Sequence, residues 1–200
     1  MFKIFNRGGA AEHVPTEEEG MESFLESQID RNLLQLWCER CVENRMAEDL
    51  NLQYANLQRI SFTRVSQVML SLQYEVEYIK AYIAVYQKMP MEEFYVNFVS
   101  KWTGSEIFVP PFILIPLIQN SLVYGYCRME RFPVKIKLSG SEKMLTLEVS
   151  NRVNHHIPDQ RTTAIIQAYK KRLNLIYPKR YQLLFNSNSN TFKASLTLEL

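Results

Sequence analysis

The chain has 200 residues, 46% of them hydrophobic and 22% charged, with a net charge of +2. That length supports one apolar core, or one core with a helical appendage. The interspersed charges form no basic stripe for nucleic acid, no apolar run is long enough to cross a bilayer, and three cysteines do not make a disulfide framework. The opening residues, MFKIFNRGGAAEHVPTEEEG, lack a signal-peptide core and cleavage site, so the expectation is a soluble, cytoplasmic protein.

Residues 1–20 read as a flexible tail, with Gly8-Gly9 and the acidic run Glu17-Glu18-Glu19 arguing against packing. From Met21 the pattern turns helical: Phe24, Leu25, Ile29, Leu33 and Leu36 recur at three- and four-residue steps. Neither glycine nor proline interrupts residues 21–89. That is too long for one ordinary helix, so two helices with a turn near residues 49–56 are expected. Cys38 and Cys41 stand at i and i+3, which on a helix places them on one face. No matching second pair accompanies them, so metal binding is not inferred. In the second helix Leu72, Val76, Ile79, Ile83 and Tyr86 step by four, three, four and three, a heptad seam. Glu75, Glu77 and Lys80 lie off that seam and are expected to face solvent. Residues 21–89 then form a hairpin that buries little alone. A second copy completing a four-helix bundle is the expected partner, and packing against the rest of the chain is the alternative.

Pro90 ends this helix. "EEFYVNFVS" alternates apolar and polar residues and reads as a strand. "PPFILIPLIQNSLVYGY" (110–126) reads as a helix starting around Phe112 to Ile115, with Pro116 in its first turn and Leu117, Ile118, Ser121 and Leu122 on its buried face. Two strands, "PVKIKL" and "MLTLEVS", are joined by the turn "SGSEK". A helix, "TTAIIQAYKKRLNLIY", stops at Pro178, and "YQLLF" and "TFKASLTLEL" supply two final strands. The fold class is α+β: an N-terminal helical hairpin (21–89), then a two-layer α/β sandwich (90–200). His155-His156 falls in a loop and reads as solvated.

Five segments in this order resemble the LytS-type sensor histidine kinase family. "SLQYEVEYIKAYI" (71–83) is similar to its "sLeeEleyikxYl", and "VPPFILIPLIQNSL" (109–122) to its "vPpllLQPLvENAi". "LTLEVSN" (145–151) resembles its central strand, "KRLNLIYP" (171–178) the end of its last helix, and "FKASLTLEL" its final strand. The resemblance implies a phosphoacceptor-type dimerisation hairpin and a GHKL (Bergerat) ATPase-like domain. Such kinases bind Mg-ATP and pass a phosphoryl group to a histidine. That transfer needs a nucleophile, a metal to neutralise charge, and a phosphate cradle.

Each requirement departs from the family's pattern here. Its "QInPHFLFNxLN" aligns with "QIDRNLLQLWCE" from Gln28, which puts Asn32 at the phosphoacceptor position. An amide nitrogen, its lone pair delocalised, is no nucleophile, and Asn32 reads as an exposed helix residue. The Glu-Asn pair becomes Gln119-Asn120. Asn120 keeps an oxygen suited to Mg²⁺, whereas Gln119 cannot act as a base. Val123-Tyr124-Gly125 replaces Lys-His-Gly. Asn151 stands at the adenine-reading position. Thr163 and Ile165 hold the glycine positions before the last helix and Ala168 the asparagine, and no glycine follows Gly140. Glycine there lets backbone N–H groups approach phosphate.

Three functions follow. One is a degenerate, dimerising regulatory partner, as homodimer or heterodimer with a related kinase or docked to a response regulator, with no cofactor. A second is an active divergent kinase using Mg-ATP, its only candidate phosphoacceptors being His13, His155 and His156. A third is a module that binds nucleotide through Asn120, Asn151 and Arg172, with Mg²⁺ on Asn120, without transferring phosphate.

Overall fold

The computed structural model describes residues 30–64, 69–90, 92–104, 106–156 and 159–200. The expected tail, the first turns of the expected hairpin and His13 lie outside them.

Among the described residues three helices precede the sandwich: α1 (Arg31–Val42), α2 (Glu48–Arg64) and, after the short strand β1 (Leu70–Ser71), α3 (Leu72–Lys88). This corrects the expected turn at residues 49–56, which lies inside α2. The chain reverses earlier, after α1, where Asn44 takes φ +53°. Asparagine tolerates that left-handed conformation better than most residues, and neither glycine nor proline marks the place. Asp30 starts α1 by accepting from the Leu33 N–H at 2.9 Å. Trp37 stacks on Tyr54 with ring centroids 5.5 Å apart, joining α1 to α2. Arg40 donates to the carbonyls of Lys88, Met89 and Pro90, so a side chain of α1 closes the carbonyl end of α3.

The heptad seam of α3 is buried, from Leu72 and Val76 through Ile79 and Ile83 to Tyr86. Its cover comes from this same chain. One apolar core runs from Leu33 of α1 through α3 to Leu198 of the last strand. The narrow seam therefore faces the molecule's own core, which was the alternative to a bundle with a second copy. Glu75 corrects a further expectation: it is not solvent-facing but fully buried.

The sandwich follows the expected order. Its sheet comprises β2 (Val96–Trp102), β4 (Val134–Gly140), β5 (Met144–Arg152), β6 (Tyr181–Ser187) and β7 (Thr191–Glu199), arranged β2-β4-β5-β7-β6. The β2–β4 pair is parallel and the others antiparallel. A short β3 (Phe108–Val109) pairs with β1. Val134, Ile136 and Leu138 of β4, Leu145, Leu147 and Val149 of β5, and Phe192, Ala194, Leu196 and Leu198 of β7 point inward. Period-two alternation puts these on one face, against α4 (Ile115–Tyr124) and α5 (Ala164–Ile176). Pro116 sits in the first turn of α4, and Thr163 caps α5 by accepting from the Ile166 N–H.

Candidate functional site

A cleft of about 400 Å³ opens between α1, α4 and α5. Arg31, Asn32 and Gln35 line it from α1, with Asp30 just before them. Pro116, Gln119, Val123 and Tyr124 line it from α4, and Ala164, Ile165 and Ala168 from α5. Sequence reasoning thus named residues from three distant segments that the tertiary structure gathers around one space: Asn32, Gln119, Val123, Tyr124, Ile165 and Ala168. Residues 31–35 reach it because α1 is tied down. The Asn32 amide N–H donates to the Tyr86 hydroxyl at 3.0 Å, and Tyr82 donates to the Asp30 carboxylate. Asn32 is accordingly half-buried rather than exposed. Burial, more than any other cause, holds the Tyr82 and Tyr86 hydroxyls well above the ordinary phenol range, and the Asp30 charge adds to it.

Gln119 and Asn120, adjacent in sequence, have different fates. Gln119 faces the cleft. Asn120 points into a closed amide network. Its oxygen accepts from the Thr163 hydroxyl at 2.6 Å, and its N–H donates to the Gln160 carbonyl at 3.1 Å. The Gln160 side chain in turn accepts from Asn151 at 3.0 Å, and Asn151 also donates to the Arg152 carbonyl at 2.7 Å. Asn120, Asn151, Gln160 and Thr163 are all buried. Gly125 lets Asn151 in: a Cβ at this position would lie 2.5 Å from the Asn151 amide nitrogen and 2.4 Å from the Ser121 carbonyl oxygen.

Arg172 belongs to a different place. It is 1% exposed and donates to the carbonyls of Pro111 and Phe112. On the other side of that loop the Glu75 carboxylate accepts from the Phe112 N–H at 2.8 Å and the Leu114 N–H at 3.0 Å. Tyr169 donates to the Ile113 carbonyl at 2.6 Å. These contacts hold Phe112 at φ +57°, a conformation that bulky residues avoid. Burial raises the Glu75 carboxyl from 4.5 to about 7, against the pull of the two backbone donors and the Arg172 charge. Burial likewise lowers Arg172 to about 10. Sequence reasoning missed Glu75, because an acid off a heptad seam normally meets water. The prolines at 110 and 111 and the buried face of α4 were the available signals that the loop needed a clamp.

Mg-ATP can be tested against this geometry. A metal on the Asn120 oxygen would have to share it with the Thr163 hydroxyl, in a pocket where Asn120 is fully buried. Ile165 and Ala168 stand on the α5 wall of the cleft, at the positions where the resemblance implies open glycine backbone and an asparagine. A buried carboxylate, Asp30, lines the same space. Among the described residues no three His, Cys, Asp or Glu side chains cluster to hold a metal. His155 and His156 are exposed in the loop after β5, and neither lines the cleft. Cys38 and Cys41 are exposed on α1. No described helix is long and apolar enough to cross a membrane.

No family model matches the chain, and no curated protein matches it. Among solved structures it is similar in shape to the Acinetobacter baumannii histidine kinase AdeS, with a TM-score of 0.49 and 9% identity over 91% of this chain and 92% of that one. It is also similar to the histidine kinase domain of the Erythrobacter litoralis EL346 blue-light activated histidine kinase, with a TM-score of 0.48 and 8% identity over 92% and 93% of the two chains. The catalytic domain of histidine kinase ThkA gives a TM-score of 0.42 and 12% identity over 66% of this chain and 93% of that one.

Proposed function

We propose that the protein is a histidine-kinase-like signalling protein of the LytS type that no longer transfers phosphate and works by association. One observation carries the reading. The residues aligned with the phosphotransfer positions, from three separate segments, line a single cleft, and the chemistry they supply there is inert. Asn32 replaces the nucleophile, Gln119 replaces the base, and Ile165 and Ala168 occupy the phosphate side. The Asn120 oxygen, the one retained hard ligand, accepts from Thr163 instead.

The partner in this reading is a second copy of the chain. The α3 seam faces inward, so contact falls to apolar residues that the helical part leaves exposed: Leu34 and Val42 of α1, and Leu52 and Phe62 of α2.

The test pairs two measurements on the full chain. Incubation with radiolabelled Mg-ATP is expected to leave no phosphoimidazole, and calorimetric titration with Mg-ATP no saturable heat. Stoichiometric phosphohistidine would overturn the reading. Saturable binding without transfer would replace it with a nucleotide-sensing module. Sedimentation is expected to show a dimer that Phe62→Ser weakens, and a monomer at every concentration removes the self-association.

A further inference from the structure

Gln119 is the polar side chain that α4 turns toward the cleft. It is 6% exposed, and its carboxamide has no hydrogen-bonding partner among the described residues. Two spaces adjoin it. One is a void of about 10 Å³ toward α2 and α3, at the lower limit for one water. The other is the cleft of about 400 Å³, within the usual size range of small-molecule sites. A partner larger than one water reaches Gln119 from the cleft.

The walls define what that partner is. Pro116, Val123, Ile165 and Ala168 present apolar surface. The Asp30 carboxylate and the Arg31 guanidinium both border the space and offset each other, so neither a polyanion nor a dication is favoured. A carboxamide offers one donor and one acceptor side by side, which matches a planar amide or lactam through two parallel hydrogen bonds. Asn32 uses its N–H on Tyr86, which leaves its oxygen as a further acceptor on the same wall.

We propose that this cleft binds a small uncharged molecule with an apolar ring or chain and a planar amide group, anchored by Gln119. It is a ligand site of the chain in its own right and does not depend on the association reading.

The probe is acetanilide, a neutral aromatic amide, titrated into the isotope-labelled full chain and followed by amide NMR. Saturable shifts on α4 and α5 residues around the cleft, and on the Gln119 side-chain amide, are expected in the millimolar range typical of so small a ligand. Gln119→Leu is expected to weaken binding about tenfold. Phenyl acetate, which keeps the ring and acceptor but lacks the N–H, should bind several-fold more weakly. Ala168→Phe, at a half-buried cleft position, should abolish binding by filling the space, and it provides the check if Gln119→Leu does not fold. Absence of saturable shifts overturns the proposal. So do shifts confined to another surface, indifference to both substitutions, or displacement of acetanilide by Mg-ATP.

Discussion

At the residue scale, buried polar side chains that hold backbone decide most of what is specific to this chain. Glu75 and Arg172 grip the 111–114 loop from opposite sides. Glu75→Ala strands two buried N–H donors and removes a negative charge that favours the buried Arg172 cation, which is expected to destabilise by about 3–5 kcal/mol in urea unfolding. The carboxyl also sets a pH dependence. Its folded value, about 7, lies above the ordinary 4.5. The folded state therefore binds more protons than the unfolded state between those limits. The contribution is full below about pH 4.5 and is lost as pH rises to about 7. Glu75→Gln, which cannot titrate, is expected to remove that part of the stability–pH slope, and an unchanged slope would count against the assignment. Gly125 is a second fixed point. Its φ of −81° suits any residue, so Gly125→Ala suffers from crowding alone, and the Asn151 amide must move. A loss of about 1–3 kcal/mol is expected, measurable by thermal unfolding. Thr163→Val removes both the α5 cap and the Asn120 partner, and should cost about 1–2 kcal/mol.

At the scale of elements, α3 is the hinge of the interpretation. The spacing of Leu72, Val76, Ile79, Ile83 and Tyr86 specifies a stripe, and a stripe is agnostic about its cover. Here α1, α2 and the sandwich cover it. Ile79→Ala is accordingly expected to cost about 2–5 kcal/mol with a midpoint independent of protein concentration below the association range. A strong concentration dependence would mean that the seam is buried between chains. The elements of the sandwich were legible because each carries redundant signals. Alternation in β4, β5 and β7 agrees with the turn residues beside them, and α4 and α5 start and stop at Pro116, Gly125, Thr163 and Pro178. The reversal between α1 and α2 was not legible, because Asn44 takes a left-handed turn without glycine or proline. Glu75 was misplaced for a related reason: periodicity sorts residues by hydrophobicity and has no means to detect a carboxylate recruited to cap a loop 37 residues away.

At the scale of the molecule, the proposed reading holds that the arrangement of a phosphotransfer site is kept while its reacting groups are replaced. Restoring one group is then insufficient. On that reading Asn32→His, alone or with Gln119→Glu, is expected to give no phosphohistidine with Mg-ATP, because Asn120 stays sealed in its amide network and Ile165 stays on the cleft wall. Acid-labile radiolabel on the double variant would show that the cleft accepts nucleotide after all.

The sequence by itself determined the order of the sandwich elements, the buried face of each, and the amide side chain at position 32. Those properties are local, set by chain periodicity, turn chemistry and side-chain type. Only the tertiary structure decided which cover the α3 seam receives, that Gln119 faces a cleft while its neighbour Asn120 is sealed inside, and that Glu75 and Arg172 clamp one loop. Those depend on which distant surfaces meet, and a polar group reveals its role only when its partner is in place.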